Sequence, residues 1–117
     1  MKWVKVRIIN NKIYQLIGLS KRAGKIVSGS FAVENAIRSG KARLVIVSDE
    51  ASANTVKKFR DMCEYRKVDI IQFGSKKALG ECIGKTERTL LAITDMAFRD
   101  MIIRVLPSSI TKMGVMD

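Results

Sequence analysis

A glycine between two serines, Ser28-Gly29-Ser30, precedes a predicted helix and has the residue types of an anion-binding turn. The first backbone N–H groups of a helix have no intrahelical partners, and the aligned peptide dipoles make this end of the helix partially positive. Both features favour a phosphate, or a base edge presented beside one. The segment therefore indicates binding of an anionic ligand.

An aromatic and an amide side chain follow this turn. Phe31 comes directly after Ser30, and Asn35 lies four residues further on, a spacing that puts both on one side of a helix. An exposed phenyl ring would stack on an unpaired base, a contact worth roughly 1–3 kcal/mol. The Asn35 amide has the donors and acceptor needed to read a base edge. Core packing is the alternative interpretation of Phe31.

Basic and hydroxyl side chains elsewhere in the chain are suited to hold a phosphate backbone. Some flank the glycine turn, others begin a predicted helix near residue 76, and others lie on a polar loop after Gly84. These candidates are Lys25, Arg38, Lys76, Lys77, Lys85, Thr86 and Arg88.

Patterns that would indicate catalysis or a metal site are weak. The chain has no His, so the commonest proton shuttle at neutral pH is missing, and without His or a C-x-x-C pair it lacks the usual zinc ligands. Cys63 and Cys82 are predicted to be buried thiols. Asp49-Glu50 follows a predicted buried strand, where α/β active sites often lie, but a solvated turn is the simpler interpretation. We expect no catalytic residues, no metal and no cofactor.

The segment Gly80 to Thr86, G-E-C-I-G-K-T, is similar to a phosphate-binding loop. Such a loop needs four residues between its glycines and joins a strand to a following helix. Here three residues intervene, and the predicted order is helix then strand. We therefore interpret Gly84 as a helix stop that begins the polar loop.

The charge balance points to a polyanionic partner. The chain has 22 Lys and Arg against 11 Asp and Glu, which gives a formal net charge of +11. Such a charge attracts nucleic acid through long-range electrostatics, although a merely soluble basic protein is an alternative. No apolar run approaches the roughly 20 residues of a membrane span, and the first nine residues do not resemble a signal peptide. We expect a cytoplasmic protein that does not contact membranes.

Short apolar runs alternate with segments of helical periodicity, which predicts a three-layer α/β/α sandwich. The predicted strands are centred on Ile26-Val27, residues 44–47, 68–73 and 89–94. Residues 1–9 alternate like an edge strand or an extended arm. We expect a single domain over residues 10–106, in which Asp95 caps a last helix buried through Ala97, Phe98, Met101 and Ile102, and a loose tail over residues 107–117.

Several motifs in order resemble one known family. They are R-A-G-K-I-V-S-G, A-I-R-S-G-K-A-R-L-V-I-V-S-D-E-A-S, Cys63, S-K-K-A-L-G-E-C-I-G-K and L-A-I-T-D. This combination is similar to the ribosomal-protein family of archaeal protein seven-Ae and eukaryotic protein thirty-e, and particularly to its small bacterial YlxQ-type members. The resemblance runs from Asn10 to Ile103.

The resemblance implies a mixed four-stranded sheet and binding to structured RNA, typically a kink-turn with sheared G·A pairs. In archaeal members the reading surface is a Gly-x-Asn-Glu-x-x-Lys segment together with the loop before the last strand. Here that segment starts at Gly29 and the loop is Gly84 to Arg88. Phe31, Ala32 and Asn35 replace the Asn, Glu and Lys of the motif, so most guanine-reading groups are absent.

We expect a non-enzymatic protein that binds structured RNA, such as a kink-turn or ribosomal RNA, with Gly29, Ser30, Phe31 and Asn35 at the bent or unpaired element. If the first short strand runs antiparallel to the other strands, the glycine turn and the basic loop share one edge of the sheet. The alternative is a protein–protein adaptor that keeps the fold without specific RNA reading. The sequence leaves the oligomeric state open.

Overall fold

The computed structural model describes residues 2–107 and 111–112, with side chains over residues 10–107. The helices are α1 (Lys2–Arg22), α2 (Ser30–Arg38), α3 (Ala53–Arg66), α4 (Lys76–Cys82) and α5 (Met96–Val105). The strands are β1 (Ile26–Ser28), β2 (Leu44–Val47), β3 (Asp69–Gln72), β4 (Leu90–Ile93) and β5 (Thr111–Lys112). In the described part of the chain, no helix is long and apolar enough to cross a membrane.

The strands form one mixed sheet in the order β1-β4-β2-β3-β5. β2 and β3 are parallel, whereas β4 is antiparallel to both β1 and β2. The expected mixed four-stranded sheet is therefore confirmed. The two-residue strand β5 adds a short antiparallel pairing to β3 at the edge.

Helices cover both faces of the sheet, because the central strands are apolar on both sides. Isoleucines of α1, Leu79 of α4 and Ile102 of α5 pack with Leu44, Ile46, Ile71, Leu91 and Ile93 on one face. On the other face, Val33 and Ile37 of α2 and Phe59 and Cys63 of α3 pack with Val45, Val47, Ile70, Leu90 and Ala92. This confirms the α/β/α sandwich.

The first helix corrects the expectation for the start of the chain. Residues 2–9 are helical and continuous with residues 10–22, so the predicted strand or arm is wrong there. Val4 and Ile8 are spaced four residues apart, as are Ile9 and Ile13, and this spacing fits a helix as well as the alternation fits a strand. Extending an existing helix costs much less than nucleating a new element.

The C-terminal segment differs from the expectation in two ways. Residues 111–112 pair with β3 as β5, so the predicted loose tail is wrong for these two residues. The rest of the tail beyond Pro107 lies outside the described residues. In α5, Ala97 and Met101 are exposed, while Phe98, Ile102 and Val105 contact the core. Asp95 caps the helix as predicted, because its side chain accepts a hydrogen bond from the Phe98 N–H. The buried face differs because Phe98, Ile102 and Val105, at i, i+4 and i+7, form the stripe that faces the sheet.

Candidate nucleic-acid interface

The sheet topology brings four loops to one edge, which we call the rim. Because β4 is antiparallel to β1 and β2, its beginning lies beside the ends of both strands, as the pairs Ser28–Leu91 and Val47–Leu90 show. β3 runs parallel to β2 and ends at the same edge. The rim therefore consists of residues 29–31, 48–50, 74–76 and 84–89.

The glycine turn opens α2 at this rim. Gly29 is the N-cap of α2 and has φ 92° and ψ 155°, a conformation that favours glycine. Its N–H donates to the Leu90 carbonyl at 2.9 Å, which fixes the turn to the start of β4. No described side chain caps the first turn of α2. The positive end of this nine-residue helix is thus presented at the rim.

The loop from Gly84 to Arg88 lies next to the glycine turn. Arg88 Nε donates to Ser28 Oγ at 3.3 Å, and one terminal nitrogen of the same guanidinium donates to Thr86 Oγ1 at 3.1 Å. β1 is antiparallel to β4 but has the same direction as β2 and β3, so the expectation that it opposes all the other strands is wrong. Its pairing with β4 and the Arg88 contact are enough to place the two predicted segments on one edge of the sheet. Lys85 and Thr86 are exposed there.

Close packing of the loop on α4 depends on Gly80. A Cβ at this position would lie 1.6 Å from the Thr86 carbonyl oxygen, so only glycine allows the loop to approach the helix as it does. The Lys85 N–H donates to the Gly80 carbonyl, and the Arg88 N–H donates to the Lys76 carbonyl. The segment that is similar to a phosphate-binding loop therefore runs from a helix into β4, as predicted.

A group of polar residues that the sequence patterns did not assign to the site organises the neighbouring loops. The carboxylates of Asp49 and Glu50 accept hydrogen bonds from the backbone N–H groups of Gly74 (3.1 Å) and Lys76 (2.7 Å). The buried Ser48 hydroxyl donates to the Gly74 carbonyl and accepts from the Glu50 N–H. These contacts give the Asp49-Glu50 pair a structural task, which is to hold the start of α4 and Lys76 against the rim.

Phe31 and Asn35 are both exposed on α2. The phenyl ring of Phe31 is 78% exposed, which rules out core packing as its role. Both side chains line one open groove of about 630 Å³, which we call the α2 groove. The α2 groove runs down the helix to Arg38 and Lys41 and also includes Val27 and Thr94. Phe31 and Asn35 therefore lie on one side of α2, as their spacing predicts.

Three of the predicted phosphate contacts lie away from the rim or have another partner. Lys25 precedes β1, so the length of the strand separates it from Gly29, and its carbonyl accepts from the Thr94 N–H at the opposite edge. Arg38 is at the far end of α2 and pairs with Glu34 at 3.1 Å. Lys77 is on the exposed side of α4 with Glu81 at 4.0 Å. For Lys25 and Arg38 the sequence order hid this separation, because a strand or helix carries its two ends to opposite edges. Lys77 directly follows the rim residue Lys76 and differs from it by its pairing with Glu81.

The two cysteines are free thiols without a reactive environment. Burial, together with the charge of Asp69, raises the pKa of Cys63 to about 12. Burial likewise raises the pKa of Cys82 to about 11, and its thiol donates to the Leu79 carbonyl. Cys63 is fully buried as predicted, whereas Cys82 is only partly buried. Both thiols are therefore protonated at neutral pH.

The mixed sheet, its two helical layers and the rim of glycine turn and basic loop define a small α/β/α sandwich of the ribosomal-protein type. A family model matches residues 11–101. The chain belongs to the ribosomal protein L7Ae/L30e/S12e/Gadd45 family.

Individual relatives agree with this assignment. The chain is 42% identical over 93 residues to RNA-binding protein YlxQ of Bacillus subtilis, a match that covers 80% of this chain and 93% of the relative. A solved structure of a Bacillus halodurans protein of unknown function superposes with a TM-score of 0.78 at 32% identity, covering 80% of this chain and 95% of that one. The 15.5 kDa RNA-binding protein of Giardia lamblia superposes with a TM-score of 0.70 at 20% identity and 83% coverage of both chains, which shows a shared fold.

Proposed function

We propose that this protein binds structured RNA at the rim, without catalysing a reaction, and that its target is a sharply bent element such as a kink-turn or a segment of ribosomal RNA. The observation that carries the proposal is the Arg88–Ser28 hydrogen bond, because it joins the glycine turn and the basic loop into one continuous surface. The name of the Bacillus subtilis relative, an RNA-binding protein, supports the same class of partner. The proposal includes a cytoplasmic location, where ribosomal RNA is assembled and used.

In this proposal, Gly29 and Ser30 face a phosphate at the start of α2, and Phe31 stacks on an unpaired base. Lys85, Thr86 and Arg88 contact the backbone of the strand that enters the bend. Lys76 lies beside them, since its carbonyl accepts from the Arg88 N–H. Shape, phosphate contacts and stacking then carry recognition in place of the guanine-reading groups that the archaeal motif supplies.

Lys25, Arg38 and Lys77 are peripheral in this arrangement. Each is exposed and basic, and each lies outside the rim. We assign them to flanking parts of a longer RNA, with smaller individual effects on affinity than Lys85 or Arg88. Asn35, one turn below Phe31 on α2, reads a base edge in the unpaired stretch.

Charge reversal at the loop tests the proposal. The Lys85→Glu/Arg88→Glu protein is compared with Lys12→Glu/Arg104→Glu, which makes the same change in net charge in a groove between α1 and α5. We expect the loop variant to lose at least tenfold in affinity for a kink-turn RNA in gel-shift assays, and the control variant to lose much less. Thermal unfolding of both proteins checks that they are folded.

Replacing the sheared G·A pairs of the RNA by Watson–Crick pairs tests the bent element itself. Weaker binding of the straightened RNA is expected, because the two halves of the rim then no longer contact one bend. Equal binding of both RNAs would contradict a kink-turn target. Equal RNA retention by the wild-type and loop-variant proteins would contradict rim binding and favour the protein–protein adaptor.

A further inference from the structure

The two most exposed large apolar side chains of the described residues are Phe31 and Tyr65, at 78% and 79% exposure. Phe31 lies at the top of the α2 groove. Tyr65 lines a second open groove of about 320 Å³, formed by Arg38, Asp61, Met62, Tyr65 and Arg66, which we call the α3 groove. Arg38 lines both grooves. The grooves are therefore neighbours, with a cation where they meet and an aromatic ring in each.

The charge along this path favours a polyanion. The Glu34 carboxylate forms ion pairs with both Arg38 (3.1 Å) and Lys58 (3.4 Å). Because two cations share one carboxylate, a net positive charge remains where the two grooves meet. The carboxylate of Asp61 is paired with Lys57 at 2.8 Å. Lys41 adds a further exposed cation to the α2 groove.

The Tyr65 ring is already part of a stack. The Arg66 guanidinium lies over it, 5.5 Å from the ring centroid. Aromatic rings and guanidinium planes are the surfaces on which unpaired bases stack in RNA-binding proteins. A site that docks an apolar protein surface would instead have few charges at its centre.

We propose that the α2 and α3 grooves form a track for a single-stranded RNA segment that leaves the folded element at the rim. Bases of the segment stack on Phe31 and then on Tyr65, and Arg38 contacts a phosphate between them. Phe31 and Arg38 are seven residues apart on α2, which is two helical turns or about 10 Å along its axis. This track rests on the proposed RNA-binding function and defines the RNA ligand as a bent element with an unpaired flank.

The test compares two RNAs that share one folded element, one blunt and one with roughly six unpaired nucleotides attached. Gel-shift titration with the wild-type protein is expected to show about tenfold tighter binding of the extended RNA. Tyr65→Ala is expected to abolish this gain and leave the affinity for the blunt RNA unchanged. Tyr65→Phe keeps the ring and should keep the gain, while Leu19→Ala, at an exposed apolar residue of α1, is the matched control.

A fluorescent base reports the stacking directly. With 2-aminopurine in the extension, quenching is expected on binding to the wild-type and Tyr65→Phe proteins and is expected to be reduced for Tyr65→Ala. Equal wild-type affinity for the two RNAs would overturn the track and leave rim binding intact. An equal loss of affinity for the blunt and the extended RNA in Tyr65→Ala would also overturn the track. Failure of the wild-type protein to bind either RNA would overturn both the track and the proposed function.

Discussion

At the scale of single residues, exposure distinguishes the side chain proposed to stack on a base from those that build the core. Phe31 is apolar yet 78% exposed, so its removal costs little burial. We expect Phe31→Ala to weaken RNA binding by roughly 1–3 kcal/mol through lost stacking. The free energy of unfolding should change by less than about 0.5 kcal/mol. Gel-shift titration and urea unfolding measure the two quantities.

Met96→Ala, at an apolar residue of α5 that is 49% exposed, is the control for a nonspecific effect of lost apolar surface. This variant should bind RNA as the wild-type protein does. A Phe31→Ala protein with unchanged affinity would remove this residue from the interface.

The buried thiol of Cys63 links stability to pH. Its pKa rises from 9.0 to about 12 on folding, so above pH 9 the unfolded chain loses a proton that the folded chain keeps. The free energy of unfolding therefore falls as pH rises above 9, by at most about 1.4 kcal/mol per pH unit for this thiol. Cys63→Ala should make the decline shallower. Urea unfolding between about pH 8 and pH 10 measures the slope, and equal slopes for the two proteins would contradict the linkage.

At the scale of elements, the rim depends on how closely the loop from Gly84 to Arg88 packs on α4. A Cβ at Gly80 would collide with the Thr86 carbonyl oxygen at 1.6 Å. We expect Gly80→Ala to lower the free energy of unfolding by about 1–3 kcal/mol or more. It should also weaken RNA binding, because moving the loop breaks the Arg88–Ser28 contact. Thermal unfolding and gel-shift titration test both effects.

Gly84→Ala is the control for Gly80→Ala, because it introduces backbone strain without a steric collision. Gly84 has φ +71°, and a Cβ added at this residue would have no other atom within 4 Å among the described residues. The substitution should therefore cost only the left-handed backbone strain, about 1–2 kcal/mol. If Gly80→Ala leaves both stability and affinity unchanged, the close packing of the loop does not shape the rim.

At the scale of the whole molecule, a net charge of +11 makes association with RNA strongly dependent on salt. Each neutralised phosphate contributes about 0.7–0.9 to the slope of log affinity against log salt. Three to five backbone contacts at the rim predict a slope of about −2 to −4.5. Filter binding over a salt series measures it, and a flat response would exclude phosphate contacts.

The affinity of the protein for RNA should not vary between about pH 6 and pH 8, because the chain contains no His to change charge in that range. A pH-dependent affinity would place the titration on the RNA or on a perturbed group outside the rim.

The sequence by itself determined the elements and their layers. Ile13 and Ile17, the Leu44–Val47 run and the Asp95 cap each act through neighbours a few residues away, so periodicity and capping were enough to predict an α/β/α sandwich. The motifs also indicated the family, and the resemblance pointed to the glycine turn and the basic loop as its reading surface. The prediction was wrong where local patterns fit two structures equally. Residues 2–9 fit a strand as well as a helix, and α5 has two overlapping sets of apolar residues that fit a buried face.

Only the tertiary structure decided which residues meet. Strand direction brings Ser28 beside Arg88, sixty residues away, and carries Lys25 to the opposite edge. The role of Asp49 and Glu50 in holding the start of α4, and the grooves that share Arg38, likewise depend on contacts between distant segments. Spacing along the chain contains no information about such contacts, because they are set by sheet order and by the packing of helices across it.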